Sequence, residues 1–312
     1  MILMRKPFFS IVIPTYNQSK FLRQSLESVF NQSFKSFEVI VIDNYSKDKT
    51  NEVIKKYKDK IIFKKINNNG VIAKSRNIGI KNSSGTWIAF LDSDDLWSKN
   101  KLHKVYNYLK EKKETDVICN NEWVIYDKSS KTKIKSFGPS SSEFYKKILL
   151  YGNRNSTSAS VVRSSFLKKN KILFNEKKSF ITCEDYCFFL DIANKRGNFK
   201  FLFEPLGIRR YHSKSYSSKI KLHQAAEESV IKHHVFNVQS FSKNKKNLYN
   251  KIRNNLYIKK TFFKIFKSGK TFKNLKIFSY FALKSPLETI KFIYSISIKF
   301  CTQIIIGAIY KK

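Results

Sequence analysis

Trp87-Ile88-Ala89-Phe90-Leu91 runs straight into Asp92-Ser93-Asp94-Asp95. Five apolar residues rich in aromatic and branched side chains, shortly after Gly85, read as a buried strand. Three carboxylates in four positions then stand at its carboxyl end. In open α/β sheets that is the edge where ligands bind. Carboxylates this close repel one another unless a cation or good hydrogen bonds offset the repulsion. Oxygen ligands of this kind suit a hard divalent ion, Mg2+ or Mn2+, bridging to a substrate phosphate. The plainer reading is a polar turn in which Asp95 or Ser98 caps the next helix. An Asp-x-Asp by itself is too short to separate the two.

Upstream of this strand, strand and helix patterns alternate. Phe8 to Ile13 reads as a strand ending at Pro14-Thr15-Tyr16-Asn17, followed by a helix with Leu22, Leu26, Val29 and Phe30 on one face. Phe37 to Ile42 is a second strand, ending at Asp43-Asn44-Tyr45-Ser46, and the next helix groups Val53, Ile54 and Tyr57. Ile61 to Ile66 is a third strand, and Gly70 opens a helix through Ile80. Such alternation with short connections predicts an α/β fold with a mainly parallel, doubly wound sheet flanked by helices. The polar ends of three strands then share one rim.

Downstream, Ser98 is placed to cap a helix carrying Leu102, Val105 and Leu109. Asp116 to Cys119 and Trp123 to Tyr126 read as two strands, and Asp127 to Ser142 as a mobile acceptor-side flap. Phe144 to Tyr151 and Glu184 to Ala193 read as helices, with strands near Phe199 to Phe203 and Gly207 to Tyr211.

The 312 residues leave room for one large α/β domain and a smaller appendage. A hydrophobic content of 42% with 28 Phe argues against disorder. The formal charge is +38, and only 9 of the 61 basic residues are Arg. Lys, Asn, Ile and Phe share A/T-rich codons, which is one source of the excess; attraction to nucleotide, nucleic acid or an acidic membrane is the other. Cys119, Cys183, Cys187 and Cys301 lack paired spacing, so free thiols in a reducing cytosol are expected, without zinc. Neither a signal peptide nor a transmembrane span is expected.

Beyond His212 the character changes. Residues 213–312 carry 21 Lys+Arg against 3 Asp+Glu. Phe262, Phe263, Ile265 and Phe266 form a helical pattern that stops at Gly269, and Leu275 to Leu283 forms another. Ser285-Pro286-Leu287-Glu288 is a capping box, and the helix it starts puts Lys291, Ser295, Lys299 and Thr302 on one stripe. The expected division is a catalytic domain over 1–218 and a basic, amphipathic helical tail over 219–312. That tail is either a solvated appendage or an interfacial anchor on anionic lipid.

Six features occur in order: Pro14-Thr15-Tyr16-Asn17; Asp43 through Thr50; Gly70 through Arg76-Asn77-Ile78-Gly79; Asp92-Ser93-Asp94-Asp95; Glu184-Asp185-Tyr186; and Arg210-Tyr211-His212-Ser213-Lys214-Ser215. In this order and spacing the chain resembles the family 2 glycosyltransferases, the inverting enzymes of the Rossmann-like GT-A fold, over residues 8–218. The resemblance implies that Pro14, Thr15 and Asn17 hold the donor nucleotide and that Asp43 accepts a hydrogen bond from a pyrimidine. The family more often has Gly after that acid; Asn44-Tyr45 stands here and leaves the turn open. Arg76 falls near the donor phosphates, or is a helix-surface Arg. Asp92 meets the donor ribose or the metal, Asp94 ligates Mn2+ or Mg2+, and Asp95 is structural. Asp185 matches the catalytic base, with Glu184 orienting; without the family, an acidic pair opening a helix simply complements its dipole. His212 completes the metal shell or touches the diphosphate, or else faces solvent at a strand end. Arg210 is placed to clamp diphosphate.

The implied function is transfer of a hexosyl or N-acetylhexosaminyl group from a nucleoside diphosphate sugar, UDP being the expected nucleotide. The implied acceptor is a hydroxyl of a growing, lipid-linked surface glycan such as capsule or O-antigen. The basic tail would hold the enzyme peripherally on the inner face of the cell membrane. A metal-dependent nucleotidyltransferase is the alternative, but no Gly-rich phosphate loop follows the first strand. Charge alone suggests a nucleic-acid-binding protein; no recognised module accompanies it, so no specific nucleic acid partner is expected.

Overall fold

A computed structural model of the chain describes residues 6–126, 129–212 and 219–268, and for residues 129–131 and 259–268 the backbone only. Seven elements alternate at the start: β1 (Phe9–Thr15), α1 (Ser19–Phe30), β2 (Phe37–Asp43), α2 (Thr50–Lys56), β3 (Ile62–Lys65), α3 (Ile72–Lys81) and β4 (Trp87–Phe90). The pairs β3–β2, β2–β1 and β1–β4 are all parallel. All seven residues of β1 and all four of β4 are buried, as a sheet covered on both faces requires. Leu22, Leu26 and Val29 of α1 pack with Ile11, Ile13, Val39 and Val41, the face the periodicity predicts. On the other side α3 lies so close to β1 that a Cβ on Gly79 would come 2.2 Å from Val12 Cγ1.

After β4 come β5 (Leu96–Trp97), α4 (Lys101–Glu111), β6 (Val117–Tyr126), β7 (Ser129–Lys135), α5 (Phe144–Tyr151), β8 (Ser160–Arg163) and α6 (Ser164–Asn170). They are followed by α7 (Glu184–Asn194), β9 (Phe199–Tyr211), α8 (Ile220–His233) and α9 (Lys245–Ser268). The sheet order is β3-β2-β1-β4-β8-β6-β9-β5, with β7 on β6. Its first half is parallel as expected, whereas β8 runs antiparallel to both β4 and β6, and β5 antiparallel to β9. The second half is therefore mixed, its neighbours coming from distant parts of the chain.

Three local expectations are corrected. The segment read as a flap contains β7, which pairs antiparallel with β6 through Trp123↔Ile134 and Val124↔Lys133. Its Lys-rich sequence is that of a protected edge strand. The strands expected on either side of Asn120-Asn121-Glu122 are one strand, β6, and those around Glu204-Pro205 are one strand, β9. Both are interrupted by register shifts, at which polar residues and Pro are tolerated. Ser98 does not cap α4; its Oγ donates to Leu206 O at 3.1 Å.

Contacts divide the chain into two units. Residues 1–140 and 154–230 form the first and contain the whole sheet. Residues 141–153 and 231–312 form the second, in which α5 and α9 meet and Asn255 Nδ2 donates to Leu150 O at 3.3 Å. The stretch Leu275 to Leu283, the capping box at Ser285, the stripe from Lys291 to Thr302, Cys301 and Ser213-Lys214-Ser215 lie outside the described residues, as does the part of the basic tail from residue 269 onward. Among the described residues no helix is long and apolar enough to cross a membrane. Among the described residues, Cys119, Cys183 and Cys187 are buried and form no disulfide.

Candidate active site

The parallel register sets Thr15 beside Asp43 at the carboxyl ends of β1 and β2. The loops beyond them are tied together: Asn17 N donates to Ser46 Oγ at 2.8 Å, and Lys47 N donates to Asn17 Oδ1 at 2.7 Å. Asn17 makes this double contact with a φ of +50°, a conformation Asn tolerates better than most residues. Asp43 is fully buried and accepts from Ser46 N at 3.2 and 3.1 Å and from Ser46 Oγ. Tyr45 stands at φ +54° with its ring half exposed. The left-handed turn after Asp43 is thus kept without glycine. Thr15 Oγ1 is buried and finds no partner among the described residues. Burial raises the pKa of the nearby Asp48, but hydrogen bonds from Thr50 and Ser19 outweigh it and the net shift is downward.

The acid edge beyond β4 is braced from three directions. His212 Nε2 stands 3.0 Å from Asp94 Oδ2, and its ring stacks on Phe21 with centroids 4.8 Å apart. Burial of His212 excludes the solvent-facing alternative. Arg210 donates from Nε to the Asp94 carbonyl and from its main-chain N to Asp95 Oδ1 at 3.0 Å. Its guanidinium also lies 4.5 Å from the Phe21 ring. Asp95 accepts a further hydrogen bond from Ser158 Oγ at 2.7 Å, joining three segments rather than capping a helix.

Arg76 links this edge to α7. It is 3% exposed, which excludes the helix-surface reading. Nη2 donates to Asp92 Oδ1 and Nη1 to Glu184 Oε1, each at 2.7 Å. Phe174 supplies a ring face 5.2 Å from the guanidinium. Glu184 Oε2 in turn accepts from Thr182 N at 2.8 Å. Thr182 has a φ of +84°, a strained value for a β-branched residue, immediately before the acidic pair. Asp185, partly exposed at the first turn of α7, accepts from Tyr186 N at 2.7 Å. Arg76 therefore reaches across 108 residues to Glu184, the neighbour of Asp185, while holding Asp92.

The acids here are not relaxed carboxylates. Burial raises the Asp94 pKa, repulsion from Asp92 adds to it, and His212 opposes both. Asp95 is pushed well above the usual range by burial and then by Asp94, Glu122 and Asp92. Burial likewise raises Glu184 despite Arg76. Asp94 with His212 beside it, and with Asp92 near enough to repel it, offers oxygen and imidazole donors of the kind a divalent cation takes.

Four residues that sequence reasoning passed over belong to this site. Ser158 joins Asp95 to the main chain of Asp92, whose N donates to Ser158 Oγ at 3.0 Å. Ser158 O accepts from Lys101 Nζ at 2.7 Å and from Trp97 Nε1 at 2.8 Å. Lys101 is fully buried, and its burial lowers its pKa to about 7. Glu122, 1% exposed, lies behind the acid loop on β6, and Arg209 flanks it on β9. For Glu122 and Arg209, charged residues inside two strands were the available signal.

The profile of Glycosyl transferase family 2 matches residues 10–173, more than half of the chain. The chain belongs to this family. An uncharacterized glycosyltransferase of Methanocaldococcus jannaschii is 32% identical over 268 residues, covering 83% of this chain and 87% of the relative. The poly(ribitol-phosphate) beta-N-acetylglucosaminyltransferase TarP of Staphylococcus aureus is 34% identical over 206 residues, 61% of this chain but 58% of TarP. The chain thus spans little more than half the length of that relative. The crystal structure of S. aureus TarS 1-349 in complex with UDP-GlcNAc superposes with a TM-score of 0.60 over 80% of this chain and 72% of that one, at 23% identity. That likeness shows the fold, which is GT-A. The protein is a glycosyltransferase, and its role is glycan transfer.

Proposed function

We propose that this glycosyltransferase moves a sugar with inversion from a UDP-sugar to a hydroxyl of a growing surface glycan. The observation that carries the reading is the buried Arg76, which joins Asp92 of the acid edge to Glu184 beside Asp185. It keeps the diphosphate end of a donor site and a general base on one rim. TarP, named for N-acetylglucosaminyl transfer to poly(ribitol-phosphate), makes an N-acetylhexosamine donor and a polyol-phosphate or glycan acceptor the first to test. A lipid-linked form of the acceptor and an anchored position on the inner membrane face rest on the basic tail in the sequence.

In this reading Pro14, Thr15 and Asn17 line the nucleotide and Asp43, steadied by Ser46, meets the pyrimidine. Arg76 acts beneath the donor phosphates by holding Asp92 and Glu184 in place. Arg210, stacked on Phe21, orients the Asp94 loop at the diphosphate. Asp185 accepts the proton of the attacking hydroxyl as its oxygen bonds to the anomeric carbon opposite the leaving diphosphate. Asp94, Asp92 and His212 would hold Mn2+ or Mg2+, which supplies Lewis-acid stabilisation of the leaving diphosphate when bound.

A panel of nucleotide sugars, scored by nucleotide release with Mn2+ or Mg2+ present and then chelated, tests the donor and the ion together. Asp185→Asn is expected to lose transfer by about 10²–10⁴-fold while UDP still binds. Undiminished transfer by that variant would remove Asp185 from the role of base. Vesicle flotation with and without residues 260–312 tests the anchor, and unchanged binding after truncation rejects it.

A further inference from the structure

The parallel register of β6 and β9 sets Val124 beside Arg209 and Tyr126 beside Tyr211. With the two-residue period of a strand, Glu122, Val124 and Tyr126 share a face with Gly207, Arg209 and Tyr211. Arg210 belongs to the opposite face, where it meets Phe21. The two tyrosine rings stack at the carboxyl ends of their strands, with centroids 5.2 Å apart and planes at 19°. The Arg209 guanidinium lies 5.2 Å from the centroid of the Tyr211 ring. Tyr126 is 37% exposed and Arg209 partly so. Among the described residues, Arg209 makes neither a hydrogen bond nor an ion pair.

The sheet order places this face. The nucleotide loops follow β1 and β2, the acid edge follows β4, and β6 and β9 lie on the far side of β4. The platform therefore stands across the acid edge from the nucleotide loops. Asp185 is among the charges that act on Arg209, after Tyr211, Glu122 and Asp95. Stacked phenols offer a flat apolar face for the C–H faces of a sugar or polyol, and a guanidinium pairs with phosphate or carboxylate oxygens in bidentate fashion.

We propose that Tyr126, Tyr211 and Arg209 form an acceptor subsite for an anionic saccharide or polyol chain, the tyrosines stacking on the chain and Arg209 pairing with its negative group. The assignment rests on the donor and base placement proposed above. The negative group is either the phosphodiester of a polyol phosphate or the carboxylate of a uronic acid, which present the same chemistry to Arg209.

Saturation-transfer NMR on the full chain tests it, with three probes: a ribitol phosphate oligomer, a galacturonate oligomer and a neutral maltooligosaccharide. UDP affinity is measured in parallel by calorimetry. The wild-type protein is expected to bind one of the anionic oligomers about tenfold more tightly than the neutral one, and the stronger of the two identifies the group. Arg209→Gln should erase that preference, while Arg209→Lys should keep part of it. Tyr126→Ala should weaken the preferred oligomer about tenfold, and Tyr126→Phe, which keeps the ring, should not. UDP affinity should hold within about twofold in every variant. Absence of anionic preference in the wild-type protein, unchanged binding by Arg209→Gln and Tyr126→Ala, or a parallel fall in UDP affinity each overturns the subsite. Oligomer binding with the expected variant pattern, but without nucleotide release from any sugar donor, supports the subsite and rejects the donor chemistry.

Discussion

Replacing Arg76 by Met removes two charge-assisted hydrogen bonds of 2.7 Å, to Asp92 and to Glu184. Breaking a buried pair by deleting one partner costs about 3–5 kcal/mol, because the remaining charge is left uncompensated. The two carboxylates do not share that cost evenly. The Asp92 side chain is 31% exposed and water screens it, whereas Glu184 is 9% exposed and depends on Arg76. The loss should therefore fall near the lower end of the range, about 3 kcal/mol, and arise mainly at Glu184. Its pH dependence has a definite sign. Burial already raises the Glu184 pKa, Arg76 pulls against that rise, and removing Arg76 lifts it further. A carboxyl whose native pKa exceeds its unfolded value binds more protons when folded, so its contribution is full below the unfolded pKa and is lost as pH rises toward the native one. The deficit of Arg76→Met against wild type should therefore grow between pH 5 and pH 8. Urea unfolding followed by circular dichroism measures it at both values, and Arg76→Met with Glu184→Gln should recover part of it. A deficit under about 1 kcal/mol at pH 8, the size of an ordinary substitution, or one that does not grow with pH, would refute the account of Arg76 as a buried strut.

Gly79→Ala should destabilise by about 1–3 kcal/mol through overpacking against Val12, more than the helix propensity it gains; thermal unfolding checks this. Lys101 is depressed to about 7 by burial, so between that value and its unfolded pKa near 10.4 the unfolded chain binds more protons and stability rises with pH. Lys101→Met should accordingly stabilise the protein most at or below pH 7, with the advantage shrinking toward pH 10; denaturation at pH 6 and pH 9.5 reads the difference. Asp94→Ala should abolish any strengthening of UDP binding by Mn2+, seen by calorimetry with and without the ion. An unchanged ion effect would remove Asp94 from the proposed ligand set.

The local sequence determined much of the scaffold. In the first half, apolar runs, helical periodicity and strand-end polar clusters are properties of neighbouring residues, and Asn17, Asp43 and Asp92 could be placed on one rim from them alone. The left-handed turn at Tyr45 was open because its Asn-Tyr sequence does not demand it, and the contacts between Asn17 and the 46–47 turn maintain it. The interrupted strands β6 and β9 were misread because buried Asn, Glu and Pro resemble loop residues until their neighbours are known. Only the tertiary structure decided that Arg76 is a buried bridge rather than a surface cation, since its partner Glu184 is 108 residues away. The same holds for Ser158, which reaches Asp95 across 63 residues, and for Arg209 beside the stacked tyrosines. Backbone pattern is written in short-range order, whereas the electrostatic state of a side chain depends on which distant charges and how much water the completed fold leaves around it.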